Sequence, residues 1–209
     1  TGGCNLKCPY CHSRDLVYLK ENRYPIVTEK INEYLESHRK DLDGIYISGG
    51  EPLMHEGVVS FLQYAKTLNY KIKIHTNGMF YERLKTILLQ QLVDHVSLDI
   101  KNAPSAYAKT CGVEDMNLKD IEKSLSLLKK SLVPYDICVT LVDELHNEAT
   151  IQELGQWIQG VDTVILQPFE DSETTIDHSL HRPSFEAVLK YKKILEKYVK
   201  HVKIRGNQA

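Results

Sequence analysis

Short apolar segments typical of buried strands alternate with amphipathic segments typical of helices along most of this chain, and this alternation constrains its fold most strongly. The strand patterns lie at 45–48, 71–75, 95–100, 135–142, 161–166 and 201–204. Strands that alternate with helices pair in parallel, through crossover connections of one hand. The pattern therefore predicts an α/β fold, built either as an open doubly wound sheet or as a parallel barrel.

Helices are predicted before and between these strands, at 28–42, 58–65, 84–92, 118–132, 151–158 and 183–198. Thr28 is expected to cap the first helix, because a threonine side chain can accept hydrogen bonds from free backbone N–H groups. Pro183 is expected in the first turn of the last helix, where proline is favoured. No internal repeat or linker interrupts the pattern, so we expect a single domain over residues 1–209.

Polar and glycine-rich groups follow four of the predicted strands, at the carboxyl ends where parallel α/β folds bind their ligands. These groups are Ser48-Gly49-Gly50-Glu51-Pro52, His75-Thr76-Asn77-Gly78, Asp99-Ile100-Lys101 and Gln167-Pro168-Phe169-Glu170. Because the carboxyl ends of parallel strands meet at one side of the sheet, the four groups together predict an active site there.

Each of these groups also has an ordinary structural interpretation. Gly49-Gly50-Glu51 suits a ligand that approaches the backbone closely and carries an ammonium group, but taken alone it is more typical of a strand-to-helix turn. Asn77-Gly78 is a common turn. The side chains of Asp99 and Lys101 lie on one face of their strand, either as a buried ion pair or as an exposed pair at its tip.

Three cysteines lie within a short loop, residues 1–12, with the spacing C-x3-C-x2-C. Thiolates this close together are typical of a shared metal centre, and a [4Fe–4S] cluster held by Cys4, Cys8 and Cys11 would leave one iron open for another ligand. The loop alone leaves other interpretations open. These are thiol–disulfide exchange at the C-x-x-C pair, attachment of a c-type haem, a tetrahedral zinc site completed by His12, and a structural role.

The composition narrows the class of protein. The 209 residues carry a formal net charge of −2, so no broad basic surface predicts nucleic-acid binding. We find no membrane-spanning apolar run and no signal peptide, which predicts no membrane association and counts against c-type haem. Five cysteines, an odd number, favour a reducing cytoplasm over a disulfide framework. Of the two remaining cysteines, Cys138 is expected in the core and Cys111 in a loop.

The motif Cys4-x3-Cys8-x-Tyr10-Cys11, taken together with Gly49-Gly50-Glu51-Pro52, resembles the radical S-adenosylmethionine enzymes. The resemblance covers essentially the whole chain and implies a partial (β/α)6-type parallel barrel. Residues 3–12, 76–78 and 99–101 resemble more narrowly the activases of glycyl-radical enzymes. Among these, the chain is most similar to the anaerobic ribonucleoside-triphosphate reductase activating proteins, and less similar to pyruvate formate-lyase activase. Thiol exchange and zinc binding would leave the strand-end groups unexplained.

The resemblance implies cofactors and the residues that bind them. Cys4, Cys8 and Cys11 would hold a [4Fe–4S] cluster, and the amino and carboxylate groups of S-adenosylmethionine would chelate its open iron. Residues 49–51 would receive the amino group, and Lys101 is expected to be catalytic together with the three cysteines. The full set implied for binding S-adenosylmethionine is Tyr10, His12, Gly49, Gly50, Glu51, Thr76, Asn77, Asp99, Lys101, Gln167 and Phe169.

The resemblance also implies a reaction and its partners. An electron from the cluster would split the sulfonium C–S bond, and the resulting 5′-deoxyadenosyl radical would remove a hydrogen atom from the substrate. The implied substrate is a backbone glycine of anaerobic ribonucleotide reductase, and a low-potential electron donor is the second implied partner. The alternatives are a pyruvate formate-lyase-type activase, a small-molecule enzyme similar to 7-carboxy-7-deazaguanine synthase, and a non-catalytic iron–sulfur or zinc protein.

The sequence departs from the resemblance in two places. Related activases often carry Asp before Thr-Asn-Gly, where this chain has His75, and some carry His where this chain has Glu170. A cation site near the cofactor carboxylate is therefore in doubt. Because the chain begins at Thr1, directly on the cysteine motif, we expect an N-terminal piece with the first strand of the barrel to be missing.

Overall fold

Six parallel strands form a sheet in the computed structural model of the protein, which describes residues 1–18 and 26–206. The strands are Gly44–Ile47 (β1), Lys71–Thr76 (β2), His95–Asp99 (β3), Tyr135–Leu141 (β4), Thr163–Pro168 (β5) and His201–Ile204 (β6). Each strand pairs in parallel with the next one along the chain, from β1 to β6. The predicted α/β fold with alternating parallel strands is confirmed.

Helices precede and connect the paired strands. They are Arg14–Val17 (α1), Thr28–Ser37 (α2), Val58–Thr67 (α3), Tyr81–Leu89 (α4), Tyr107–Thr110 (α5), Lys119–Lys129 (α6), Glu148–Trp157 (α7) and Phe185–Leu195 (α8). The longer helices confirm the predicted ones, whereas α1 and α5 are too short to show a helical period. In the described part of the chain, no helix has the length and apolarity that crossing a membrane requires.

The apolar core lies between one face of the sheet and the helices. Along β2, Ile72 and Ile74 are buried, whereas the alternate residues Lys73 and His75 are only half-buried. Leu62 of α3 is fully buried in the same apolar cluster. Burying one such side chain contributes about 1.5–3 kcal/mol relative to leaving it in water. The apolar face is therefore fixed against the helices, and the polar residues occupy the opposite face.

The opposite face of the sheet curls around a cavity. Side chains from all six strands or from the residues directly after them line it: Tyr46, His75, Asp99, Cys138, Gln167 and Arg205. A flat sheet could not bring its first and last strands to one cavity, so the sheet is curved as in a barrel. Among the described residues β1 and β6 do not pair with each other, so the barrel is partial, as predicted.

The residues predicted to begin α2 and α8 are wrong. Val27, not Thr28, occupies the cap position of α2, and no side chain caps that helix. Ser184 caps α8, where its hydroxyl oxygen accepts a hydrogen bond from the backbone N–H of Ala187 at 3.2 Å. Pro183 therefore precedes the cap and does not lie in the first turn. A serine side chain can accept this bond and a proline side chain cannot, which decides where the helix begins.

Four helices, α2, α4, α6 and α8, end three to five residues earlier than predicted. α2 ends at Ser37, because residues 38–42 form hydrogen-bonded turns such as Leu42 N–H to His38 O at 3.1 Å. α4 ends at Leu89, and the left-handed φ of 54° at Gln91 separates it from Leu92. Leu92 is nevertheless buried, so the apolar period extends past the point where the backbone leaves the helix.

Candidate active site

The cavity has a volume of about 860 Å³ and lies at the carboxyl ends of the strands. It is lined by all of the residues that were predicted to hold a cluster or S-adenosylmethionine: Cys4, Cys8, Tyr10, Cys11, His12, Gly49, Gly50, Glu51, Thr76, Asn77, Asp99, Lys101, Gln167 and Phe169. Its rim includes the exposed residues Tyr46, Glu170 and Arg205. The structure thus brings the cysteine loop and the four strand ends together, while the roles of the single residues remain predictions.

The two glycines after β1 hold the start of the cysteine loop. The N–H of Gly50 donates to Thr1 O and the N–H of Glu51 donates to Gly3 O, each at 2.8 Å. A β-carbon on Gly50 would lie 1.8 Å from Gly3 O, and one on Gly49, whose φ is +124°, would lie 2.3 Å from Thr1 O. The atoms that approach these two glycines closely are therefore backbone atoms of the cysteine loop itself.

Two further segments hold the rest of the cysteine loop. The N–H of Lys7 donates to Cys111 O at 3.3 Å, on the side of α5. The segment between β5 and α8 crosses the loop from another side, where Ile176 N–H donates to Cys11 O at 3.1 Å and Asp177 N–H donates to Pro9 O at 2.9 Å. We call residues 174–177 the strap. The three anchors come from distant parts of the sequence and fix the loop over the strand ends.

The three loop cysteines are free thiols that differ in their surroundings. Burial raises the pKa of the Cys4 and Cys11 thiols. Cys8 is more deeply buried, yet a hydrogen bond with the Cys111 side chain outweighs that burial and lowers the pKa of Cys8 to about 7. Cys111, expected in a loop, lies fully buried directly after α5 and beside Cys8.

Glu51 is a buried carboxylate held by its own chain, with 1% of its surface exposed. Its Oε1 accepts from Thr76 Oγ1 at 2.7 Å and from Leu53 N–H at 3.0 Å, and its Oε2 accepts from Asn77 N–H at 2.8 Å. Burial raises the pKa of Glu51, although these three hydrogen bonds oppose it. The ordinary interpretation as a turn residue is correct, since Glu51 caps the 3₁₀ turn Pro52–Met54. The same carboxylate also faces the cavity.

Asp99 is at the centre of a hydrogen-bonded chain across three strands. Its carboxylate oxygens lie 2.7 Å from Lys101 Nζ and 2.7 Å from His75 Nε2, and His75 Nδ1 lies 2.6 Å from the Tyr46 hydroxyl. Burial alone would raise the pKa of Asp99, but the adjacent histidine and lysine hold it well below its usual range. Burial likewise opposes the charge of Lys101, and Asp99 holds its pKa well above the usual value. Asp99 and Lys101 thus form a pair inside the cavity.

Several residues that line the cavity were missing from the predicted site, among them Cys138, His75 and Arg205. Cys138 was expected in the core; it is buried, but its side chain faces the cavity near His75 and Asp99. His75 was predicted among the polar groups at the strand ends, but it was given no role in binding the cluster or S-adenosylmethionine. Arg205 follows β6, a strand whose carboxyl end had not been considered. The alternation of residues along β4 and past β6 was the signal that would have found Cys138 and Arg205.

The arrangement of the loop thiols fits a [4Fe–4S] cluster better than a zinc ion. In the described part of the chain, one group of three potential ligands has all donor atoms within 4.8 Å, and it is His75, Asp99 and Cys138. The three loop sulfurs are therefore spread more widely. Thiolates on one tetrahedral zinc lie about 3.8 Å apart, because each Zn–S bond is about 2.3 Å long. A cubane cluster presents its irons at separate corners and suits the wider spacing.

The sequence matches a family model as well. The model described as the Radical SAM superfamily matches residues 1–158. The chain therefore belongs to the radical SAM superfamily of enzymes. Membership of this family implies a [4Fe–4S] cluster and S-adenosylmethionine as cofactors.

Two curated relatives align over nearly the whole chain. A protein of Methanocaldococcus jannaschii named "Putative glycyl-radical enzyme activating enzyme" is 30% identical over 209 residues, which cover 97% of this chain and 85% of that protein. The pyruvate formate-lyase-activating enzyme of Clostridium pasteurianum is 28% identical over 213 residues, covering 96% of this chain and 88% of that enzyme.

A solved structure shares the fold. SuiB of Streptococcus suis, in a crystal structure with bound S-adenosylmethionine, superposes with a TM-score of 0.75 at 14% identity. The superposition covers 98% of this chain and 48% of SuiB. At this identity the likeness concerns the fold, and it agrees with the partial barrel.

Proposed function

We propose that this protein is a glycyl-radical-enzyme activating enzyme and that anaerobic ribonucleotide reductase is its partner. The observation that carries the proposal is that three free thiols, Glu51 and Lys101 line one cavity at the strand ends. The names of the two relatives that align over nearly the whole chain support activation of a glycyl-radical enzyme. The choice of ribonucleotide reductase rests on the resemblance of residues 3–12, 76–78 and 99–101.

The cluster ligands in this proposal are Cys4, Cys8 and Cys11. Together with S-adenosylmethionine, the bound cluster would supply an electron for C–S cleavage and a 5′-deoxyadenosyl radical. The role of the loop residues is to hold the three thiolates apart in fixed positions, and the anchors at Gly50, Cys111 and the strap do so. A loop fixed from three sides keeps the cluster ligands from shifting when a substrate enters.

The proposed role of Glu51 is to receive the amino group of S-adenosylmethionine. A carboxylate offers about four acceptor positions, and the hydrogen bonds from Leu53, Thr76 and Asn77 occupy three of them. One position on Oε2 is left for an ammonium group. Because Glu51 is buried and already oriented by these three donors, little conformational entropy is lost when the ligand binds.

The proposed role of Lys101 is to bind oxygen atoms of S-adenosylmethionine. An ammonium group has three N–H donors, and Asp99 uses one of them. The Asp99 carboxylate, held between Lys101 and His75, keeps this ammonium charged and fixed in direction. Tyr10 and His12, on the side of the cysteine loop, and Gln167 and Phe169, on the side of β5, would enclose the rest of the molecule.

The open rim supports a protein substrate. Sites for small molecules usually enclose most of the ligand surface. Here Tyr46, Glu170 and Arg205 line the cavity while they are exposed to solvent, so a segment of another protein can reach the strand ends. This favours an activase over an enzyme similar to 7-carboxy-7-deazaguanine synthase.

The proposal is tested by anaerobic reconstitution of the cluster, followed by incubation with the partner, S-adenosylmethionine and a low-potential reductant. We expect a glycyl radical signal in electron paramagnetic resonance with ribonucleotide reductase, and none when Cys4→Ala replaces the wild type. If pyruvate formate-lyase acquires the signal and ribonucleotide reductase does not, the partner is pyruvate formate-lyase. The absence of a glycyl radical with both partners, despite an assembled cluster that binds S-adenosylmethionine, would contradict the proposed function.

A further inference from the structure

Tyr46 of β1 lies at the rim of the cavity, and the proposed function gives its hydroxyl no role. Tyr46 is 54% exposed, yet its hydroxyl oxygen lies 2.6 Å from Nδ1 of His75 on β2. The two ring centroids are 6.2 Å apart and the ring planes are inclined by 43°, so the rings do not stack. The contact is therefore a directional one, between one oxygen and one nitrogen.

This contact is the first link of a diagonal chain across three strands. Tyr46 pairs with Lys73 in the parallel register, and His75 lies two residues further along β2. His75 in turn pairs with Ser97, and Asp99 lies two residues further along β3. Each link advances two residues toward the carboxyl ends and stays on the cavity face, because residues two apart point to the same side of a strand.

The chain ends at Lys101. Oδ1 of Asp99 lies 2.7 Å from Nε2 of His75, and Oδ2 of Asp99 lies 2.7 Å from Nζ of Lys101. These three side chains are only 14–22% exposed, so the chain leads from the exposed rim into the cavity. Because different partners hold the two carboxylate oxygens, a rotation of the Asp99 carboxylate would break both hydrogen bonds.

The positions of the protons follow from the acceptors. An ionised carboxylate only accepts hydrogen bonds, so Nε2 of His75 carries the proton that Asp99 receives. A neutral imidazole has one ring proton, so Nδ1 is the acceptor and the Tyr46 hydroxyl is the donor. The surroundings suit a neutral ring, because Lys101 already balances the charge of Asp99. Burial raises the pKa of the nearby Cys138 thiol, which keeps that group uncharged as well.

We propose that Tyr46 and His75 are positioning residues for Lys101. Tyr46 holds the His75 ring with its proton on Nε2, and His75 in turn holds the carboxylate of Asp99. Asp99 then directs the Lys101 ammonium at S-adenosylmethionine. This inference rests on the proposed role of Lys101 and adds two residues that act through others. A binding group whose direction is already fixed loses less freedom when the ligand binds, so the ligand binds more tightly.

The first test is the affinity of the anaerobically reconstituted enzyme for S-adenosylmethionine, measured by isothermal titration calorimetry. Tyr46→Phe removes only the hydroxyl and should weaken binding about threefold, whereas His75→Leu removes the donor to Asp99 and should weaken it about tenfold. His75→Gln keeps an N–H donor at the end of its side chain and should stay closer to the wild type than His75→Leu. Iron and sulfide per chain should be equal in all of these variants.

Two variants serve as matched controls. His95→Leu removes a contact of the same length, between His95 Nε2 and Asp136 Oδ2 at 2.7 Å, near the amino ends of the strands and away from the cavity lining. Tyr64→Phe removes a tyrosine hydroxyl that donates to Glu36 on the surface. Both should bind S-adenosylmethionine as the wild type does. If they weaken binding as much as the two test variants do, a general loss of stability replaces the proposed positioning.

The second test locates the proton on the His75 ring by nuclear magnetic resonance of the whole reduced chain, labelled at its histidine nitrogens. The two ring resonances are assigned by their disappearance in His75→Gln. We expect a proton on Nε2 and none on Nδ1, and Tyr46→Phe should move the Nδ1 resonance because the hydrogen bond to that nitrogen is lost. A proton on Nδ1 in the wild type would overturn the proposed direction of the chain.

The outcomes separate this inference from the proposed function. If the wild type binds no S-adenosylmethionine despite an assembled cluster, the proposed function fails together with the role of Lys101. If the wild type binds it and Tyr46→Phe and His75→Leu bind it equally tightly, only the positioning role is overturned. If His75→Leu loads no cluster, Tyr46→Phe decides alone, because it removes one oxygen from an exposed side chain.

Discussion

Replacing Gly50 by alanine should displace the cysteine loop from the strand ends. The added β-carbon would lie 1.8 Å from Gly3 O, and since contacts below 3.0 Å are essentially never found, Gly3 must retreat by about 1.2 Å. That movement breaks the hydrogen bond from Glu51 N–H to Gly3 O. Overpacking costs about 1–3 kcal/mol and the lost bond about 1 kcal/mol, so the free energy of unfolding should fall by about 2–4 kcal/mol.

The free energy of unfolding is measured by urea denaturation of the reduced, cluster-free protein, followed by circular dichroism. Iron and sulfide per chain after anaerobic reconstitution provide a second measurement. Because Cys4 directly follows Gly3, the Gly50→Ala variant should also load less iron than the wild type.

Alanine substitutions at two other glycines distinguish the stability cost of crowding from that of backbone strain. Gly57 has a φ of −72° and nothing within 4 Å of an added β-carbon, so Gly57→Ala should leave the stability unchanged or raise it by about 0.4–1 kcal/mol. Gly160 is equally open but has a φ of +85°, so Gly160→Ala should cost only about 1–2 kcal/mol of backbone strain, with normal iron loading. Wild-type iron loading by Gly50→Ala, with a stability loss no larger than that of Gly160→Ala, would refute the reasoning.

Further predictions concern the network around the strand ends and one helix cap. Glu51→Gln should lower the free energy of unfolding in urea by about 1–3 kcal/mol, because the amide leaves the N–H of Asn77 without an acceptor; an unchanged value would show that this bond is dispensable. Burial tends to raise the pKa of Asp99, but the adjacent histidine and lysine hold it well below its usual range. The unfolded chain therefore takes up a proton that the folded chain does not, and the stability contributed by Asp99 is lost as the pH falls below about 5. Asp99→Asn should flatten this dependence in urea melts at decreasing pH, and an equally steep fall would exclude Asp99 as its source. Asn147→Ala should cost about 1 kcal/mol, since it removes the cap on the Thr150 N–H at 3.0 Å, and its melt should differ visibly from that of an exposed polar variant elsewhere.

The strands were predictable because their signal is local. In β2, Ile72 and Ile74 alternate with Lys73 and His75, and this period of two marks a strand without reference to its partners. Helix ends were less predictable, because they depend on which side chain reaches a free N–H group. At α8, the bond from Ala187 N–H to Ser184 decided the start.

The meeting of the site residues at the strand ends was predictable from the sequence. The hydrogen bonds that hold the cysteine loop in place were not. Parallel strands bring their carboxyl ends together, so Glu51 and Lys101 were expected to share a site. Apart from the Thr174 hydroxyl, which donates to His12 O, the strap holds the cysteine loop through backbone N–H and C=O groups, which leave no pattern in the sequence. Cys138 is buried as predicted, but its place beside the cavity was missed for a different reason. Ile137 and Val139 on either side are fully buried and suggested a strand buried on both faces, whereas Cys138 and Thr140 line the cavity.

The strap also sets an order of events during biosynthesis. The cysteines leave the ribosome early, but residues 174–177, which close the loop over them, follow more than 160 residues later. At about 5–20 residues per second, this delay lasts roughly 8 to 35 seconds, and the thiols are without this anchor throughout it. We expect the cell to insert the cluster after the strap has been synthesised and has closed on the loop, so an iron–sulfur carrier should recognise the folded surface around the strap and not the newly made cysteine segment.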